Sequence, residues 1–368
     1  MAFDFKKLLA DWKNLTDLKK EEVVGLDVGS SSVKLVHLRH GVGGYVVVAV
    51  AKVDIGITEQ DDERARMAKT AAAVRVCFEQ SKIETRQVVC GVCGQDVAVR
   101  PFNFPALPPE EIQQAIMLEA EQVCPFDPGK NILEYQLVTR SSGLGARGSS
   151  DERQATSDDI SGVLVAATNE VVRGKLQIVN NASLNCALMD IDGLALVNCF
   201  CQTESRSAGK TTALLNVGHT VTNLAVVHDQ KPPFLRDIPH GGSEIIEHIA
   251  AERGLTREAA ARAAISGADE YKECLAGGMS ELVSEINESI RYYMSEQRLQ
   301  SIGKVYVCGG FSLAKGFVEL LNKQLPFGAQ VWNPFDAMGR LPNMVGLEIV
   351  EASGPAMAVA AGLAMRTL

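Results

Sequence analysis

The sequence predicts a mixed α/β protein of two related lobes, and three observations predict it. The first is Val23 to Arg39, VVGLDVGSSSVKLVHLR. A buried strand runs to Val28, Gly29 forces a tight turn, Ser30, Ser31 and Ser32 add hydroxyls, and Lys34 follows as the chain returns as a second strand. The second is Thr211 to Lys231, TTALLNVGHTVTNLAVVHDQK, which repeats that form. Asn216 stands where the first copy has Asp27, Gly218 makes the turn, and Thr220 and Thr222 supply hydroxyls. The third is VYVCGGFSLAKGF, Val305 to Phe317, a buried strand that ends in paired glycines before a helix.

These stretches share a chemistry. Backbone N–H groups and hydroxyls at a glycine turn donate to phosphate, and a lysine adds charge. Two such turns from two lobes can clasp one polyphosphate from opposite sides. Asp27, at a strand end, is placed to hold magnesium through water. Gly309 and Gly310 let a flat ring approach the backbone.

Length and composition bound the rest. A chain of 368 residues exceeds one ordinary core. Hydrophobic residues make up 46%, as in a globular protein, and the formal charge of -9 without a basic cluster argues against nucleic acid. No apolar run of membrane-span length is read. The N-terminus lacks the apolar core of a signal peptide, which predicts a cytoplasmic protein. Nine scattered cysteines suit reduced, packed thiols. Cys90 and Cys93 sit in VVCGVCGQDVAV, read as one strand, where residues three apart face opposite sides and chelate poorly.

Taken in order, Met1 to Lys20 carries apolar residues at helical spacing and predicts an amphipathic helix. A strand follows at Tyr45 to Val53 and a helix at Asp62 to Gln80. The prolines of PFNFPALPP, Pro101 to Pro109, break helix and strand alike. A helix starts there, with Glu110 and Glu111 in its first turn and Ile112 and Ile116 on one face. Strands at Ile132 to Val138 and Gly162 to Ala167 flank a polar segment, Arg140 to Ser161, read as a mobile loop or disordered insert. A helix spans Glu170 to Asn180. CALMDID is a short strand ending in Asp190 and Asp192. Glu204 to Lys210 is the linker between lobes. One alanine-rich helix is expected over Thr256 to Leu275, with Glu270 and Lys272 near its end. Another follows at Glu281 to Leu299, and the small-residue tail Gly354 to Arg366 predicts a closely packed helix.

Two hydroxyl-bearing glycine hairpins, an acid-ended strand between them and a late strand-GG-helix follow the order of the actin, heat-shock chaperone and sugar kinase superfamily. GLDVGSSSVKLV, RPFNFPALPPEEIQQAIMLEAEQVCPF with ILEYQLV, GGSEIIEHIA and PAMAVAAGLAMR together resemble the PilM family, actin-like cytoplasmic proteins of type IV pilus machines. The likeness runs from about Val23 to Arg366, and its middle block is similar to the small subdomain shared with FtsA.

The resemblance implies an actin-like two-lobed ATPase fold of duplicated RNase H-like lobes, with the small subdomain inserted in the first. Its boundaries would be 23–85 with 185–208 for subdomain 1A, 86–184 for 1C, 209–243 with 303–353 for 2A, and 244–302 for 2B. Residues 1–22 would precede these as an amphipathic segment, and 354–368 would close the chain as a helix. It implies ATP or ADP with magnesium. Gly29, Ser30, Ser31, Ser32 and Lys34 would form the first phosphate loop, and Gly218, His219 and Thr220 the second. Gly309, Gly310 and Ser312 would form the adenosine motif, with Glu270 and Lys272 bordering ribose and base. Asp27 and Asn216 would face magnesium through water, and Asp190 or Asp192 would position the attacking water. The family usually has an acid at Asn216, so hydrolysis is expected to be slow or absent.

The implied partners are the N-terminal cytoplasmic peptide of a PilN-like membrane protein and other proteins of the pilus assembly platform. Phe102, Phe104, Ile112 and Ile116 are candidates for the peptide groove. Membrane association would come through the partner, leaving the protein peripheral to the inner membrane. Two competing readings are a small-molecule kinase of the same superfamily and an adaptor that binds no nucleotide.

Overall fold

The computed structural model describes residues 23–41, 43–138, 160–204, 209–228, 231–297 and 301–367. The helix expected at Met1 to Lys20 and nearly all of the Arg140 to Ser161 segment lie outside them.

The first lobe opens with β1 (Val24–Val28), β2 (Ser32–Gly41) and β3 (Gly44–Asp54), an antiparallel meander. α1 (Glu63–Ser81) begins on Asp62, whose carboxylate accepts from the Ala65 N–H at 2.7 Å and so satisfies an orphan donor of the first turn. β4 (Gln87–Val92) lies parallel to β1. The chain then builds a separate layer from β5 (Val97–Phe104), α2 (Pro109–Val123), β6 (Ile132–Val138) and β7 (Ile160–Ala167), and returns through α3 (Asn169–Asn181) to β8 (Asn185–Ile191) and α4 (Asp192–Thr203). The second lobe holds β9 (Thr211–Val217), β10 (Thr222–His228), β11 (Phe234–Ile238), α5 (Gly242–Arg253), α6 (Arg257–Ser266), α7 (Lys272–Gly278), α8 (Ser280–Glu296), β12 (Lys304–Cys308), α9 (Phe317–Gln324) and β13 (Ala329–Val331). β14 (Gly339–Val345), α10 (Leu347–Ser353) and α11 (Ala358–Ala364) close the chain.

The two main sheets share one connectivity. Their strand orders are β14-β3-β2-β1-β4-β8 and β11-β10-β9-β12-β13. Apart from β14, each is a three-strand antiparallel meander continued by two parallel strands. Alternation along β2 divides its side chains between two cores. Val33 and Leu35 meet Ala73, Val74, Cys77 and Phe78 of α1, whereas Val36 and Leu38 join the core that contains Met357 and the alanines of α11. All seven residues of α11 are buried. Gly25 permits its approach, because a Cβ there would lie 2.0 Å from the Ala360 carbonyl oxygen.

Several expectations are corrected. Leu347–Ala364 has a mean hydropathy of 1.3 over 18 residues, long and apolar enough for a membrane span, although none was expected. Two thirds of that window is buried against the protein's own sheet and α4, which is how a core helix meets the same test. VVCGVCGQDVAV is two strands, with Cys93 and Gly94 in the turn between them. Pro101 does not stop β5, because β5 is an edge strand and its missing N–H faces no neighbour. The alanine-rich stretch is two helices, divided where Gly267 takes φ +67°. β14 pairs with β3, in the first lobe, although residues 303–353 were expected in the second.

Candidate functional site

The two glycine turns have the same hydrogen bond. The Gly29 N–H donates to the Ser32 carbonyl at 3.2 Å, and the Gly218 N–H donates to the Val221 carbonyl at 3.0 Å. The turns meet tip to tip, with the Ser30 and Thr220 hydroxyl oxygens 3.0 Å apart. Ser30, Ser31 and Thr220 are exposed. Ser32 is buried at the head of β2, and Thr222 donates to the His240 carbonyl at 2.7 Å, so neither hydroxyl belongs to a tip. The second turn is seated on the start of α5. The Gly218 carbonyl accepts from the Gly242 N–H, and the His219 carbonyl accepts from both the N–H and the hydroxyl of Ser243. Burial, aided by the Arg257 charge, holds the half-buried His219 imidazole below its usual pKa.

Below each turn the register places one polar pair across neighbouring strands. Asp27 is opposite Lys34, and Asn216 is opposite Asn223. The Lys34 ammonium binds Asp27 Oδ2 at 2.8 Å. In the second lobe the Asn216 amide donates to Asn223 Oδ1 at 2.7 Å, and the Asn223 amide donates to Asp237 Oδ1 at 2.7 Å. The other Asp237 oxygen accepts from the Gly94 N–H at 2.6 Å, which ties the second lobe to the β4–β5 turn of the first. Burial raises the Asp237 pKa, and these hydrogen bonds oppose the rise.

The two acids of CALMDID part company. Asp190 is taken by Arg366 at its Oδ2 and by the Ile191 N–H at its Oδ1, so it does not join the group. Asp192 opens α4, where a carboxylate suits the helix dipole. It is buried, and its Oδ1 has no hydrogen-bond partner. It overlies Gly91, where a Cβ would lie 1.9 Å from Oδ1. Desolvation first, then the nearby Asp27 charge, push its pKa up to about 7, while Lys175 and the Cys93 thiol act the other way. Lys175 arrives from α3 and donates to the Val28 carbonyl, next to Gly29.

The late glycines divide their work. Gly309 has φ +92°, and a Cβ there would lie 2.4 Å from the Val217 carbonyl oxygen. It therefore serves the packing of β12 against β9 rather than the approach of a ring. Gly310 is exposed, with nothing near its Cβ position. Ser312 is buried and donates to the Gly309 carbonyl at 2.7 Å, which closes its own turn. Glu270 and Lys272 are exposed, and Lys272 pairs with Asp269. Lys315 packs on Gly267, and Glu319 acts on Lys272 electrostatically, so this segment borders the chain that follows Gly310.

The residues expected to face magnesium through water are each engaged by a neighbour. Asp27 is spent on Lys34, and Asn216 is tied to Asn223 and brings no charge. Among the described residues, no group of three acidic, histidine or cysteine side chains could hold a metal ion. The proposed groove residues are also placed differently. Phe102, Ile112 and Ile116 form the core between α2 and one face of the sheet β5-β7-β6, while Val97, Val99, Val163 and Val165 pack against the main core. Only Phe104 is partly exposed, and it stacks on Phe102 at 5.0 Å between centroids.

Sequence reasoning missed Asn223, Asp237, Lys175, Cys93 and Gly94. Asn223 had a signal, since it follows Asn216 by the same seven residues that separate Lys34 from Asp27. The other four come from elements distant in sequence and had none.

Comparison with known proteins agrees with this architecture. The family model for the type IV pilus assembly protein PilM matches residues 25–368. A chain solved in a PilM–PilN type IV pilus biogenesis complex is 24% identical, with 94% of this chain and 98% of that one covered and a TM-score of 0.76. The ethanolamine utilization protein EutJ from Carboxydothermus hydrogenoformans is 15% identical, with 99% and 98% covered and a TM-score of 0.55. These likenesses and the duplicated sheets give the actin-like fold expected from the sequence. With nearly its whole length matched by that family model, the chain belongs to the type IV pilus assembly protein PilM family.

Proposed function

We propose that this protein is a cytoplasmic nucleotide-binding scaffold of a type IV pilus assembly platform, held at the inner membrane by the N-terminal peptide of a PilN-like protein. The observation that carries the nucleotide reading is the doubled glycine turn, with an equivalent polar pair beneath each copy and the tips in contact. Ser30, Ser31, Lys34, His219 and Thr220 are the groups this reading sets around the phosphates of ATP or ADP. Gly310, Glu270 and Lys272 border the base. Asp192 is the acid able to orient a water, since its free oxygen is buried beside Asp27. Hydrolysis is slow in this reading, because Asn216 supplies no charge to the transition state.

The partner reading is supported by the likeness to a chain from a PilM–PilN complex and by the small subdomain built on β5, β6, β7 and α2. Four of the nine exposed large apolar side chains among the described residues lie on it: Leu118, Ile132, Tyr135 and Leu137. That concentration suits an extended peptide bound through apolar side chains better than scattered exposure would.

Amide hydrogen exchange of the full chain tests both readings. ATP or ADP should slow exchange at 27–34 and 216–223. A synthetic N-terminal peptide of the PilN-like protein should slow it within 97–138. If neither ligand changes exchange anywhere, the scaffold reading is wrong.

A further inference from the structure

The strand end before the first turn carries two ammonium groups. Lys34, from β2, sits on the Asp27 carboxylate at 2.8 Å. Lys175, from α3, is half-buried and donates to the carbonyl of Val28, the next residue. A lysine ammonium has three N–H groups, so the bond to Val28 leaves two for another acceptor. The carboxylates around them already have partners or are buried. Asp27 is already paired with Lys34, and Asn216, at the equivalent place in the other lobe, is neutral and bonded to Asn223. Burial favours the neutral form of Asp192, on which Lys175 acts, and the Asp237 carboxylate is held by the Asn223 amide and the Gly94 N–H. The strand ends thus carry two cations, and among the described residues no group of three acidic, histidine or cysteine side chains could cage a metal there.

Polyphosphates need countercharge. A divalent cation usually supplies it, held by one or two carboxylates and the phosphates themselves. An ammonium is a compact point charge that can bind the same oxygens directly. We propose that Lys175, together with Lys34, replaces the divalent cation here, so that a nucleoside di- or triphosphate binds without magnesium. The proposal rests on the nucleotide reading above. It explains why a carboxylate is dispensable at Asn216: with no metal-bound water to orient, the position needs only to hold Asn223. It also gives α3 a part in the site, since Lys175 fixes that helix to the mouth of the turn.

The experiment is calorimetric titration of the full chain with ADP, once in excess magnesium chloride and once in excess EDTA. Wild-type protein should bind with similar affinity in both. Lys175→Gln should bind about tenfold more weakly or worse in EDTA, the loss expected for one charge-assisted hydrogen bond. Magnesium should restore part of that affinity, and Lys175→Arg should keep most of it under both conditions. A purely structural role, in which Lys175 only pins Val28, would weaken the Gln variant equally with and without magnesium and would overturn the proposal. Wild-type binding in magnesium alone overturns it too, while leaving the nucleotide reading intact. Binding in neither buffer overturns the nucleotide reading itself. Thermal melts of each variant show whether a loss reflects unfolding.

Discussion

Asp192 shows how one side chain can be set by its surroundings. Asp27 on β1, Lys175 on α3, Cys93 in the β4–β5 turn and Asp237 on β11 all act on it. Its raised pKa has a definite sign in stability. The native state holds the proton more tightly than the unfolded chain, so the group costs nothing below its ordinary value of 3.8. The penalty grows as pH rises to about 7 and stays constant above that. Asp192→Asn should therefore gain stability relative to wild type as pH is raised from 4 to 8, by up to about 4 kcal/mol at 1.36 kcal/mol per pKa unit. Urea melts across that range check it, and a constant difference between the two proteins would refute it. Residue 216 shows the opposite limit. An aspartate there could not donate to Asn223, and Asn223 would have to choose between that carboxylate and Asp237.

At the scale of elements, the small layer made of β5, β6, β7 and α2 depends on one apolar seam. Ile116 is 1% exposed and Ile112 is 9% exposed on the same helix face, and both meet Phe102 and Leu164. Ile116→Ala removes buried methyl groups from a core with few alternatives for collapse, and should cost about 2–5 kcal/mol. Hydrogen exchange should speed up across 97–138 while β9 and β10 stay protected. If nucleotide binding also fails, the layer is coupled to the cleft more tightly than its contacts suggest. The same layer explains why the proline-rich block misled: Pro101 is compatible with a strand only at an edge, and a linear pattern does not reveal which strand is the edge.

Across the whole molecule, the lobes share an apolar core, and polar contacts tie them at the mouth and the floor of the cleft. Ser30 meets Thr220 at the exposed tips, and Asp237 meets the Gly94 N–H in the buried floor. The floor is the stronger tie, because a carboxylate accepting from N–H groups away from water is a charge-assisted contact. Asp237→Ala removes the acceptor and leaves the Gly94 N–H and the Asn223 amide without it. The expected cost is about 1–3 kcal/mol for buried donors left unpaired. Small-angle scattering should then show a larger radius of gyration without nucleotide than the wild type gives. An unchanged radius would place the lobe contact elsewhere, in the apolar core that both lobes share.

The duplicated hairpins, the α/β class and most helix positions were legible in the sequence, because each rests on local patterning: alternation in strands, helical spacing of apolar residues, and glycine at turns. The same locality made Gly29, Lys34, Gly218 and Asn216 visible as a repeat. Only the tertiary structure could separate Asp190 from Asp192, since what divides them is Arg366 at the far end of the chain and Cys93 in a distant turn. It alone could place Lys175 beside Val28, put Phe102 and Ile116 inside a core, and move β14 to the first lobe. In each case the deciding interaction joins segments far apart in sequence. Local propensity carries no information about such a contact until the chain has folded.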